Sequence, residues 1–396
     1  MDFITSKKIF MNAISKTKYL CALLPVMACF GFASAQVATD TTAADSALLK
    51  QVEQELAATQ SSQQSATTTR SGLSFNPDIG VIGDFQGSYI SEGERNFDAY
   101  LNETELSLQA VVDPYARADF FLSFSRDPVT HEYGVEVEEG YLTTLSLPAR
   151  LQLKVGKFKE ALGRINTMHP HALPFIDMPN AFVNFFGYEG LNDEGVSLSW
   201  LVPNKAFYQD LTFQVTSGFS ESPSFERSDK NRFVYLGHLK NFWDLSDNST
   251  LELGLTGISG ENDSTAITNI AAADLTFKWK PVQLNTYHSL TWQSEFFFSN
   301  RKLPEQNHVN SFGLYSFLQY QIAKRWFLTG RFDYSEMPYD NSITETAFSL
   351  TAGWYATEFQ KIELEGKTTD PSTGDRFYEA WLRWIFVIGA HGAHQY

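Results

Sequence analysis

The sequence predicts an all-β fold: a transmembrane antiparallel β-barrel of about sixteen strands whose third external loop folds inward. Three observations carry that expectation. From Asp78 onward, apolar and polar residues alternate with period two, as in strands with one apolar and one polar face. The connections between these stretches alternate between short and long, as periplasmic turns and external loops do in outer-membrane barrels. Aromatic residues are abundant, with 33 Phe, 17 Tyr and 8 Trp. Yet no apolar run after the leader approaches the roughly 18 residues that a membrane helix needs. Backbone polar groups in lipid must pair within helices or a closed sheet, so an exported chain of this kind has to cross as a barrel.

The leader comes first. Lys7, Lys8, Lys16 and Lys18 precede the apolar run from Tyr19 to Phe32, which ends in Ala33-Ser34-Ala35. That order is a secretory signal peptide, with cleavage expected after Ala35. Both cysteines, Cys21 and Cys29, lie within it. The exported chain is therefore expected to contain no disulfide, which suits an oxidising periplasm. Residues 36–72 read as a periplasmic N-terminal extension. Leu49, Val52 and Leu56 have helical spacing, and the Ser/Gln/Thr-rich stretch 61–71 reads as a linker. The barrel is expected over 73–390, and 391–396, containing His391-Gly392-Ala393-His394, reads as a C-terminal tail.

The expected strands are 78–90, 99–113, 115–126, 134–147, 150–158, 191–202, 207–219, 231–242, 248–259, 267–280, 287–300, 309–323, 325–335, 343–356, 359–367 and 375–388. Leu211, Phe213 and Val215 against Thr212, Gln214 and Thr216 show the pattern, as do Leu382, Trp384 and Phe386 around Arg383. Most stretches exceed the usual five or six residues of a soluble sheet and are long enough for a tilted membrane strand. Even-numbered strands lead into turns such as Asp113-Pro114 and Ala356-Thr357-Glu358. Odd-numbered ones lead into polar segments such as SEGERNFD, SGENDSTA and SEMPYDNSIT. Glu139 falls in the row of Val135, Val137 and Tyr141, so a bulge or rim position is expected there.

The other face of each strand would line the lumen. Its candidates include Arg117, Asp119, Glu136, Glu138, Arg150, Lys154, Arg331 and Arg383. Each charge can pair across a neighbouring strand or set ion preference. The formal net charge of −16 excludes a general nucleic-acid binder, whose footprint would be basic. Sixteen strands enclose an aqueous channel unless something fills it. The segment 159–190 is long enough to do so. It is also strongly apolar, with Leu162, Ile165, Leu173, Phe175, Phe182, Phe185 and Phe186. Exposing such groups costs about 25 cal/mol per Å2, so the segment is expected to fold against the wall and narrow the pore.

Val137 to Leu142, Gly156-Lys157-Phe158, Gly163-Arg164-Ile165-Asn166, His169-Pro170-His171 and Phe186 to Leu191 together resemble outer-membrane porin-like proteins related to the phosphate-selective porin O and P group. The resemblance runs from about Phe75 to the C-terminus. It implies passive transport through a trimeric porin, with outer-membrane lipid and lipopolysaccharide around it and barrel-assembly machinery inserting it. In phosphate-selective relatives anion specificity rests on arginines and a lysine ladder. This chain lacks a lysine-rich lumen.

The polar candidates at the expected constriction are Lys157, Lys159, Arg164, His169, His171 and Asp177. His169 and His171 with Asp177 could bind zinc or copper, but His-Pro-His is not a helical ligand pair and no third histidine lies nearby. Loop packing is the expectation for them, with no cofactor and no metal. No Gly-x-Ser-x-Gly elbow or Gly-rich phosphate loop points to an enzyme. The expected function is passive diffusion of small hydrophilic solutes or ions in the outer membrane of a Gram-negative bacterium. The alternatives are a substrate-specific or metal-linked transporter or receptor, and a plugged structural or adhesive barrel.

Overall fold

A computed structural model describes residues 77–389 except 93–96, 127–129, 221, 227–231 and 305–306. The signal peptide, the N-terminal extension and the His391–His394 tail lie outside the described residues. The strands are β1 (Asp78–Ile90), β2 (Phe97–Asp113), β3 (Ala116–Arg126), β4 (Tyr133–Thr144), β5 (Leu151–Lys159), β6 (Asn192–Leu201), β7 (Tyr208–Thr216) and β8 (Val234–Ser246), followed by β9 (Ser249–Glu261), β10 (Ile267–Trp279), β11 (Leu290–Lys302), β12 (His308–Ala323), β13 (Trp326–Met337), β14 (Asp340–Thr357), β15 (Gln360–Pro371) and β16 (Phe377–Gly389). Each pairs antiparallel with its sequence neighbours, and β1 pairs with β16 to close a sixteen-strand barrel. Closure leaves no sheet edge unpaired, as a spanning sheet requires.

The period-two pattern becomes two surfaces. One row carries exposed apolar side chains, among them Phe120, Val155, Phe213, Phe298, Phe348, Leu364 and Trp384. The alternate row is buried and largely polar, for example Asp119, Ser123, Thr212, Gln214, Arg331, Asp333 and Arg383. Large apolar groups outside and polar groups inside invert a soluble core and match a barrel solvated by lipid. The pairing keeps the rows aligned: Val155 faces Val196, and Phe332 faces Phe348 at 4.9 Å between ring centroids.

Three local differences from the sequence expectation have physical causes. Arg150 is exposed in the 3-10 turn Pro148–Arg150 with φ of +62°, so it is not on the strand or its lumen face. The loop expected at SEMPYDNSIT is only a two-residue connection, because β13 and β14 stay paired to Met337 and Asp340 through an irregular register at Glu336. Conversely, the β10–β11 connection spans 280–289, and Leu284 accepts the amide N–H groups of Tyr287 and His288. The alternation of short and long connections therefore holds for most hairpins but not all. At Glu139 the register slips against Phe121 and Leu122, so Glu138 and Glu139 are both buried, as a bulge requires.

Candidate functional site

The segment between β5 and β6 carries short 3-10 turns at Ile165–Thr167 and Pro170–Ala172 and one helix, α1 (Asn180–Phe186). Its two ends are tied by one side chain. Asn166 Nδ2 donates to the carbonyls of Glu160 and Leu191 at 2.8 and 2.9 Å, and its Oδ1 accepts the Leu191 amide at 2.8 Å. Two glycines permit the approach. Gly163 has φ of +55° and a Cβ there would lie 2.4 Å from Glu295 Oε2. Gly190 has φ of +71° and a Cβ would lie 2.2 Å from Asn166 Oδ1. Both need the left-handed region and the missing side chain.

The apolar residues of the segment are packed, not solvated. Leu162, Ile165, Phe175, Phe182, Phe185 and Phe186 form one cluster with Phe297, Tyr315 and Phe317 from β11 and β12 and with Leu236, Ile258 and Ile270 from β8 to β10. Phe186 meets Phe297 edge-on, with centroids 5.1 Å apart. Such pairs add about 0.5–1.5 kcal/mol beyond area burial.

Polar anchors flank this cluster. On β13 to β16 the wall supplies cations. Arg383 Nη2 donates to the carbonyls of Phe175 at 2.8 Å and Leu173 at 3.2 Å, Nη1 donates to that of Pro170, and Nε donates to Glu363. Arg331 donates to both the carbonyl and the Oδ1 of Asp177 at 2.8 Å, and Lys367 reaches Asp177 Oδ2. Burial would raise the pKa of Asp177, but Arg331 and Lys367 outweigh it and hold the carboxyl below its ordinary value. On β9 and β11 the wall supplies carboxylates: Glu295 accepts the amides of Arg164 and Ile165, and Glu252 accepts Arg164 Nη1 at 2.9 Å.

A third anchor lies on β2 and β4. His169 Nε2 donates to Glu139 Oε1 at 3.0 Å, while its Nδ1 lies 3.0 Å from Glu105 Oε2 and 3.2 Å from Glu138 Oε1. His171 Nδ1 lies 3.4 Å from the same Glu105 oxygen. Lys159 Nζ pairs with Glu138 Oε1 at 3.1 Å. Burial works against charge on His169, yet Glu138, Glu105 and Glu139 prevail and hold its pKa well above the ordinary value. Between these anchors a cavity of about 330 Å3 opens toward the short-turn end, lined by Arg164, His171, Phe175, Lys278, Tyr355 and Lys361.

Of the expected constriction residues, the structure brings Lys159, Arg164, His169, His171 and Asp177 into these anchors, but at three different places. Asp177 is with Arg331 and Lys367, not with the histidines. Lys157, opposite Glu194 in the sheet, is not in these anchors and pairs with Glu136 at 2.9 Å. Among the expected lining residues, Arg117 pairs with Asp119 at 2.8 Å, and Lys154 lies 4.1 Å over the Tyr141 ring. Arg331 and Arg383 do not face open lumen, because the segment covers them. Glu295 escaped the sequence reading because Phe296-Phe297-Phe298 hides which face is which. The pairing of Glu105 with histidines more than sixty positions later left no local signal.

No protein-family model matches the chain. An uncharacterized protein of Aquifex aeolicus (strain VF5) is 29% identical over 344 residues, covering 76% of this chain and 71% of that one. Among solved structures, an anion-selective porin from Comamonas acidovorans superposes with a TM-score of 0.56 at 8% identity, over 79% of this chain and 99% of the porin. The outer-membrane channel DcaP of Acinetobacter baumannii gives 0.56 at 10% identity, over 80% and 98%. The fold is thus that of outer-membrane porins and channels.

Proposed function

We propose that the protein is an outer-membrane porin through which small hydrophilic solutes or ions diffuse passively, with the segment 159–190 folded inward as its constriction. One observation carries this reading. The segment bonds to buried-row side chains on β2, β4, β9, β11, β13, β15 and β16, strands that lie all around a closed ring. A chain that reaches so many walls lies across the lumen. Its anchors are ionic and its centre aromatic, a combination that holds one position firmly and leaves the rest of the cross-section to water.

A kinship with the phosphate-selective porins would require cations free to pass an anion along. Here Arg331, Lys367 and Arg383 are engaged with Asp177, Glu363 and loop carbonyls. A general channel therefore fits better than a phosphate ladder. A homotrimer belongs to the same proposal and follows from the porin resemblance.

Single-channel recording in planar bilayers tests the reading. Folded protein is expected to give discrete conductance steps, and deletion of Met168 to Asn180 is expected to enlarge them. Folded protein without conductance would favour the plugged structural barrel. A deletion that leaves the steps unchanged would remove this segment from the permeation path.

A further inference from the structure

The anchor on β2 and β4 differs in kind from the others. Two imidazoles and the carboxylate of Glu105 converge there on one point, and all three residues are at most 5% exposed. Candidate ligand atoms of Glu105, His169 and His171 lie within 4.8 Å of one another. The measured separations are 3.0 Å from His169 Nδ1 to Glu105 Oε2, 3.4 Å from His171 Nδ1 to Glu105 Oε2, and 3.2 Å from His169 Nδ1 to Glu138 Oε1. Donors about 2.0–2.1 Å from a tetrahedral ion stand roughly 3.3 Å apart, so the two separations from Glu105 match edges of such a site.

The surroundings fit as well. Glu139 accepts the Nε2–H of His169, which turns the lone pair of Nδ1 toward Glu105 and Glu138. A carboxylate behind a histidine in this way fixes the tautomer and raises ligand basicity at metal centres. Pro170 sets the backbone between the two rings: His169 is extended, Pro170–Ala172 is a 3-10 turn, and the rings stand 5.5 Å apart at 30°. Phe121 packs against His169 at 4.9 Å and shields it. The charge count leaves room for a cation: among the described residues, three carboxylates meet here, Lys159 Nζ pairs with Glu138, and Glu139 accepts the Lys159 backbone amide.

The geometry points to a divalent transition-metal site of the zinc class at this junction, formed by His169, His171 and Glu105, with the fourth position left to a water. Its ion ties the loop to the wall at β2, a place separate from the arginine anchors on β13 and β16. The site stands whether or not the barrel conducts, because ion content is read without any transport measurement. The metal-free alternative is a doubly protonated His169 held by the same carboxylates.

The test uses full-length protein in which His391 and His394 are replaced by Ala, so that the tail binds nothing. It is refolded with Zn2+ present and gel-filtered, and its zinc is measured by mass spectrometry, with heat-modifiable gel mobility reporting a folded barrel. About one zinc per chain is expected, falling to background in Glu105→Gln and His171→Ala. No retained zinc, or zinc retained equally in both variants, would overturn the proposal. Should the variants not fold, Co2+ loading of the unsubstituted chain decides. Intense visible bands of four-coordinate cobalt support the site, and a weak octahedral spectrum or none sinks it.

Discussion

The two sides of the loop are held by opposite chemistries. On β13 to β16 the wall is cationic and the loop answers with carbonyls and Asp177. On β2 and β4 the wall is anionic and the loop answers with imidazoles and Lys159. The arginine side is permanent, because a guanidinium stays charged at any working pH and its planar fork reaches several acceptors at once. The histidine side is conditional, because imidazoles need protons or a metal to be held by carboxylates. A loop pinned firmly at one wall and conditionally at the other has a built-in direction for movement.

The largest break in this comparison should come from Arg383→Ala. It takes the guanidinium from Glu363 and from the carbonyls of Pro170, Leu173 and Phe175, leaving Lys361 to reach only Glu363 and Leu173, in a buried setting where removing one partner of an ion pair costs about 3–5 kcal/mol. The expected result is a faster tryptic cut within 160–190 and a noisier, larger conductance. Arg383→Lys is expected to rescue little, since one ammonium cannot serve all four acceptors. If the variant matches the parent in both assays, the arginine side is not the firm one.

Asn166→Ala comes next. The amide closes the neck of the loop through three buried hydrogen bonds, and their loss leaves backbone groups unsatisfied at about 1–3 kcal/mol. Lower thermal stability of the folded barrel should accompany easier cleavage near Glu160.

Acidification should sharpen the contrast. The Asp177 carboxyl sits below its ordinary value of 3.8 once folded, so its contribution is full above that value and is lost as pH falls through the lower, folded one. The loop is expected to leave β13 and β15 only in strong acid, seen as a rise in conductance. Asp177→Asn should abolish that rise and weaken the anchor already at neutral pH.

Most of the frame was legible because lipid on one face and polar lumen on the other force a strict alternation. Phe213, Leu382 and Trp384 announce the outward row without any tertiary information. The apolar character of 159–190 likewise announced that it packs. What stayed hidden were partners distant in sequence. Arg331 and Arg383 read as open lining because a strand pattern shows which way a side chain points but not what comes to meet it. Glu105 next to His169 and His171 depends on the barrel's circumference, which no local spacing records.

Lys157 supplies the smallest expected effect. It forms an exposed ion pair with Glu136, whose side chain is 66% exposed. Exposed pairs contribute roughly 0–1 kcal/mol, and the two opposite charges of this one offset each other. Lys157→Ala should therefore leave conductance, ion selectivity and thermal stability near the parent values. Lys159, two positions on, should behave otherwise. It is buried beside Glu138 and Glu139, and its removal strips the β2 and β4 anchor of its fixed cation. Lys159→Ala should loosen the loop on that side, and more so without bound metal than with it. Equal effects of the two substitutions would mean that burial of the charge does not set the outcome.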